Sequence, residues 1–123
     1  MREIKFRAWD KRQLKMLTVL QVMFGTPHNL VQAHDGRLPL EVQNTTDLEL
    51  MQFTGLKDKN GTDIYEGDIL EEDADWWRVE YTDRAMFEAI GINGGVDFCL
   101  EEIAGSATVQ GNIYKNPELL GRS

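Results

Sequence analysis

Cys99, His28 and His34 are the residue types from which a thiol nucleophile and its base could be built, and with Asp35 the two histidines are the only nitrogen-bearing group that suggests a metal site. A thiolate forms readily only in an electropositive setting. Cys99 is instead flanked by Asp97, Glu101 and Glu102, acids that raise a thiol's pKa. Its expected role is a small, half-buried filler on a strand, facing away from Phe98. No second cysteine or third histidine completes a structural zinc set, so no metal is expected. Ser106 and Ser123 are the only serines, and neither stands in a G-x-S-x-G elbow, which argues against a serine triad.

Asp58-Lys59-Asn60-Gly61-Thr62-Asp63 has the look of a calcium loop, but its glycine is fourth where a calcium loop has it sixth, and no glutamate stands twelfth. A hairpin turn explains it better. Asp68, Glu71, Glu72, Asp73 and Asp75 are enough carboxylates to gather a divalent ion, yet a run of like charges between strands reads first as a solvated loop. No glycine-rich turn is followed by Lys and Ser or Thr, and residues 91–95 lack the spacing of a dinucleotide fingerprint, so no cofactor is expected. What remains is Lys5, Arg7 and Trp9 on one strand face, near Lys11, Arg12 and Lys15. Cations beside an aromatic plane suit single-stranded nucleic acid or an acidic peptide. The favoured reading instead puts Trp9 in the core and leaves the cations as a solvated edge that discourages sheet aggregation.

The 123 residues carry 13 basic and 21 acidic side chains, a net charge of −8. The imbalance is uneven: residues 1–40 hold seven bases and three acids, residues 41–123 six and eighteen. A protein of this net charge is repelled by duplex DNA at long range, so unspecific duplex binding is not expected. One cysteine cannot close an intramolecular bridge, which fits a reducing compartment. Met16 to His34 contains no Lys, Arg, Asp or Glu and follows a basic start, as a secretory leader would. Against that, Glu3 and Asp10 lie in the would-be leader, and Gln21 and residues 25–29 break the apolar run. The same breaks argue against a membrane span, and a cytoplasmic location is expected.

The elements that must position these groups are mostly strands. Ile4, Phe6 and Ala8 alternate with Lys5, Arg7 and Trp9, the period of a half-buried strand over 3–9. A polar turn at 10–12 then leads into Leu14, Met16, Leu20, Val22 and Phe24, so 3–24 is expected to form a hairpin. Leu17, Val19 and Met23 make the second segment apolar on both faces; it is either a strand covered on both sides or a helix. Residues 25–47 are rich in turn formers and are expected to be a long loop, a candidate for a binding element or a mobile segment, broken by short strand pieces. A strand over 48–54 should stop at Gly55. Asn60-Gly61 should then reverse the chain as a type I′ turn, and Glu66-Gly67-Asp68 should kink it, with the aspartate bonding a nearby backbone amide. Further strands are expected over 76–81, 87–90, 96–100 and 107–113, with residues 91–95 as a hairpin loop. Asn116-Pro117-Glu118 should start one short helical turn docked by Leu119 and Leu120.

KFRAWD at 5–10 with Lys15-Met16, FTGLKDKNGTDIYEGDIL at 53–70 and GNIYKNPELL at 111–120 resemble, in order and spacing, the YopX-type family of phage and prophage proteins. The resemblance implies a small phage-derived cytoplasmic protein and transfers no catalytic residues. It treats 1–123 as a single YopX-like domain with a variable loop at 25–47. Gly55, Asn60, Gly61, Tyr65, Gly67 and Asp68 read as turn and packing chemistry. The fold expected is mainly β, a curled antiparallel sheet or small SH3-like partly open barrel with a short C-terminal helical turn. The function expected is a non-enzymatic accessory module that binds itself or a phage or host protein. The alternatives are a nucleic-acid binder using Lys5, Arg7, Trp9, Lys11 and Arg12, and, last, a small hydrolase using loop acids such as Asp35.

Overall fold

A computed structural model describes residues 5–23, 30–34, 43–44, 48–92 and 94–121. Its strands are β1 (Phe6–Asp10), β2 (Lys15–Met23), β3 (Leu30–His34), β4 (Gln43–Asn44), β5 (Leu48–Lys57), β6 (Asp63–Tyr65), β7 (Asp68–Glu72), β8 (Asp75–Tyr81), β9 (Phe87–Gly91), β10 (Phe98–Cys99) and β11 (Thr108–Asn112). A helical turn, α1 (Leu100–Ile103), precedes β11, and a 3-10 turn, Pro117–Gly121, follows it. The protein is mainly β and wholly antiparallel in its pairings. Among the described residues the sheets do not close into a barrel, and no helix is long and apolar enough to cross a membrane. Two compact units are formed, residues 4–52 and, in the main, 53–123, and the chain passes from one to the other inside β5.

In the first unit the strand order is β4-β3-β2-β1-β5. The expected hairpin forms, with Ala8 opposite Leu17 and Trp9 opposite Met16. Ala8, Leu17, Ala33 and Leu48 make a small core against which Val19 and Leu50 pack. β2 is a strand, buried on its Leu17 side; Leu20 falls where the register slips between Val19 and Gln21 and is 52% exposed. Leu14 does not belong to the strand: it ends the turn, its amide donating to the Asp10 carbonyl (2.8 Å), at φ 56°. The turn is held from inside by the buried Asp10, whose Oδ1 accepts the amides of Arg12 (2.9 Å) and Gln13 (3.0 Å). β3 and β4 fall within the expected long loop.

The second unit holds a five-stranded sheet in the order β10-β9-β8-β7-β11, and the far half of β5 pairs with β6. Alternate residues of β7, β8 and β9 turn Leu70, Trp77, Val79, Phe87 and Ala89 into one core with Ile64, Leu100 and Ile103. Each fully buried Leu or Ile side chain there contributes about 1.5–3 kcal/mol relative to its exposed state. α1 corrects the expectation of a strand through 100. The backbone turns helical after Cys99 because that puts both Leu100 and Ile103, at helical spacing, into this core while Glu101 and Glu102 stay in solvent. β5 also runs through Gly55 instead of stopping there. Gly55, at φ 87°, makes the bulge at which the register with β6 slips between Phe53 and Lys57.

The turn at Asn60-Gly61 is of another kind than expected. Only Gly61 has a positive φ (82°), and its amide donates to the Asp58 carbonyl (3.0 Å) while the Asp58 amide donates to the Thr62 carbonyl (2.8 Å). This is a three-residue hairpin loop with a left-handed glycine, which the mirror-image turn would not give. The two-residue mirror turn is found between β7 and β8, at Asp73 (φ 50°) and Ala74 (φ 72°), where Glu72 faces Asp75. Left-handed backbone costs an alanine about 1 kcal/mol that glycine avoids. Ala74→Gly should therefore raise stability by about 0.5–1 kcal/mol, read as a higher urea midpoint at unchanged slope.

Candidate functional site

The three sequence blocks each deliver a buried Asp or Asn whose side chain accepts backbone amides. Asp58 is the most connected. Oδ1 accepts the amides of Asn60 and Thr62, each at 2.8 Å, and Oδ2 reaches across to the Val109 amide at 2.9 Å, on β11. Beside it the Lys59 amide donates to the Ala107 carbonyl (2.9 Å), so the β5–β6 turn is pinned to the start of β11. Burial alone would raise the Asp58 pKa. The amides of Val109, Thr62 and Asn60 and the Thr62 hydroxyl outweigh that and hold it below its ordinary value of 3.8. Asp68, 1% exposed, accepts the Tyr65 amide through Oδ2 (2.8 Å) across the kink at Gly67, whose φ of 82° suits glycine. Asn112 does the same for Tyr114 (3.0 Å) and Lys115 (2.8 Å), and Asn116 Oδ1 accepts the Asn112 amide at 3.2 Å. Gly55, Asn60, Gly61, Gly67 and Asp68 thus lie on turns or at a bulge.

The basic constellation is only partly assembled. Trp9 is 6% exposed and Ala8, on the other strand face, is fully buried, so β1 is covered on both sides at this point. Lys5 and Arg7 are half-buried, whereas Lys11 and Arg12 are exposed on the β1–β2 turn. Lys11 Nζ lies 3.3 Å from Glu49 Oε1, an exposed pair worth little. Trp9 presents no open aromatic plane. His28 and Asp35 lie outside the described residues, among which no group of three His, Cys, Asp or Glu could hold a metal ion. Of the acidic run, Glu71 Oε2 accepts the Ala74 amide (3.0 Å) and Glu72 Oε2 the Ser106 hydroxyl (2.6 Å).

A cleft of about 530 Å³ opens in the second unit. One wall is the bulged segment 53–57 of β5. The others are Tyr81 and residues 85–87, at the β8–β9 turn, and Cys99 to Glu101, at the start of α1. The β8–β9 turn repeats the Asp58 pattern: the Thr82 amide donates to the Met86 carbonyl (2.9 Å) and the Ala85 amide to the Thr82 carbonyl (3.0 Å), with Ala85 at φ 59°. It leaves Met86 38% and Tyr81 53% exposed at the cleft, and Tyr81 sets its ring edge-on to Phe87 at 5.0 Å. Lys57 is drawn to Asp63 at 2.8 Å, and Glu101 is exposed at the rim. Sequence reasoning did not single out Leu56, Tyr81 or Met86. The one local signal was an apolar run, Ala85-Met86-Phe87, straight after the polar stretch 82–84.

Cys99 stands in the cleft wall opposite Glu88 in the strand register. Burial raises its pKa above 9.0, and the charges of Glu102, Glu88 and Glu101, with a hydrogen bond to Glu102, push it further in the same direction. The sequence reading anticipated Glu101 and Glu102. Glu88 came from the pairing, and Asp97 is turned away to accept the Gly91 amide (2.8 Å).

Together these features describe a class: a small protein of antiparallel sheets, several of whose turns are closed by buried Asp and Asn side chains, with a cleft of mixed polar and apolar lining at the β8–β9 turn. The chain belongs to the YopX protein family, whose model matches residues 5–121. Among solved structures it is similar to protein EF1440 from Enterococcus faecalis, at 29% identity and a TM-score of 0.65, over 98% of this chain and 99% of that one. No curated protein matches its sequence.

Three outcomes follow from these sites. Asp58→Ala should cost about 3 kcal/mol or more, because it strands backbone amides from two parts of the chain. A carboxylate whose folded pKa is depressed stabilises the fold above its unfolded pKa and loses that contribution as pH falls through the folded value. The stability gap between wild type and Asp58→Asn should therefore be widest at neutral pH and narrow below about pH 4. Denaturant titrations at several pH values check this. Alkylation of Cys99 should show a midpoint above pH 9.0, moving down in Glu102→Gln, as followed by iodoacetamide rates against pH.

Proposed function

We propose that this chain is a phage-type accessory protein that works as a non-enzymatic binding module, with the cleft beside the β8–β9 turn as its docking site for an apolar side chain of a protein. The observation that carries this reading is the display of Tyr81 and Met86, large apolar side chains left exposed at a concave site of ligand-binding size. Met adapts its shape to an incoming apolar group, and an aromatic ring adds rigid contact area at small entropic cost. The phage-type origin rests on the likeness of the three sequence blocks. The nucleic-acid alternative would have to draw on cations without Trp9, whose ring is in the interior, and on a chain of net charge −8.

Titration of the labelled protein with N-acetyl-leucinamide tests the cleft. Amide shifts should concentrate in 54–57, 81, 85–87 and 99–101, and N-acetyl-glutaminamide should move them far less. Shifts scattered over the surface, or none at millimolar ligand, would count decisively against the reading.

A further inference from the structure

The β1–β2 turn carries an outlier. Leu14 adopts a left-handed backbone at φ 56° and is 69% exposed. Two physical costs coincide there. Left-handed backbone is unfavourable for leucine by about 1 kcal/mol, and Gly or Asn would close the same turn without it. A large apolar side chain in water also gains nothing for the folded monomer. Residues kept in such a state at loop tips tend to serve contact with something else. The tip around Leu14 carries Lys11 and Arg12, both exposed, with Lys15 after them; Asp10 is buried on the backbone amides of residues 12 and 13, and Lys11 Nζ lies 3.3 Å from Glu49 Oε1, an exposed pair that a new partner can exchange at little cost.

The cleft of the second unit has the complementary character. Its lining is apolar at Leu56, Met86 and Leu100, and its α1 side is acidic through Glu101, with Glu102 near Cys99; Glu88 is buried and paired with Arg84 at 3.6 Å. The cation at the cleft, Lys57, is held by Asp63. Residues 53–123 carry six basic and fifteen acidic side chains, a net charge of −9, which favours Lys11 and Arg12 at contact distance, where local charges outweigh the screened repulsion between two chains of −8. At about 530 Å³ the cleft exceeds what one side chain fills and suits a hairpin tip of several residues.

We propose that the occupant of this cleft is the β1–β2 turn of a second copy of the chain, with Leu14 as the knob and Lys11 and Arg12 against the acidic α1 rim. This rests on the cleft reading given above and adds the identity of the occupant. The contact joins two different patches, so each molecule offers one knob and one hole.

That asymmetry supplies the test. Leu14→Gly removes the knob and relieves the strained backbone, so lost association cannot be blamed on lost folding. Met86→Arg obstructs the hole at a half-exposed position; Glu101→Lys, at an exposed one, reverses the rim charge without adding bulk. Sedimentation equilibrium of the wild type should show salt-sensitive self-association, and each variant alone should bind itself at least tenfold more weakly. A mixture of Leu14→Gly with Met86→Arg should form a one-to-one complex, since it keeps one intact knob and one intact hole. A wild type that stays monomeric at every concentration, a Leu14→Gly protein that associates like the wild type, or no complex in the mixture would each overturn the proposal. If N-acetyl-leucinamide still maps to the cleft in those cases, only the occupant is wrong. If it does not, the cleft reading falls as well.

Discussion

A single buried carboxylate, Asp58, holds together parts of the chain that are 51 residues apart. Its two oxygens accept three backbone amides, two from its own turn and one from β11. Burying an ionised carboxylate is costly unless its lone pairs are answered, and here they are answered by fixed main-chain donors that lose little further entropy on bonding. The depressed pKa is the electrostatic signature of that arrangement. Because the donors are backbone groups, the contact specifies where β11 begins relative to the β5–β6 hairpin, whatever side chains surround it.

The same solution recurs at Asp10, Asp68 and Asn112. A protein of short antiparallel strands has a large share of its residues in reversals, and each reversal leaves amides without ladder partners. Small cores add to the demand. In the first unit the buried cluster is two alanines and two leucines, so apolar packing alone discriminates weakly between registers. Turn-closing Asp and Asn side chains supply the missing specificity, since a slip by one residue would carry the acceptor away from its amides and turn every side chain to the other face.

Where the left-handed position of a turn is not a glycine, the backbone carries strain. Leu14, Asp73, Ala74 and Ala85 all have positive φ. Asp73 and Ala74 join β7 to β8 and are exposed. Ala85 and Leu14 differ, because each sits where a large apolar side chain is brought to the surface: Met86 at the cleft, and Leu14 itself on a cationic tip. Strain at these two places is thus coupled to display. The opposite charges around them follow from the distribution of acids along the chain, which crowd into the residues after 52.

How much of this was readable in advance depended on range. The strands at 6–9 and 76–81, the kink glycine at 67, the amide-bonding role of Asp68 and the helical turn after Asn116 are encoded within a few residues, and neighbours in sequence suffice to specify them. The acids expected to raise the Cys99 pKa were legible for the same reason. Asn60-Gly61 announced a reversal but not its type, because whether Asn60 also takes positive φ is decided by Asp58 folding back over the turn. The partnership of Asp58 with Val109, the helical turn at Leu100 and the cleft around Met86 were absent from any local pattern. Each depends on which strand lies beside which, and on how much apolar surface the alternative arrangement would leave in water. Composition and period therefore determined a β-rich, turn-anchored, acidic chain, while the choice of buried face and the hollow left between elements emerged only when long-range pairing removed some side chains from solvent and stranded others in it.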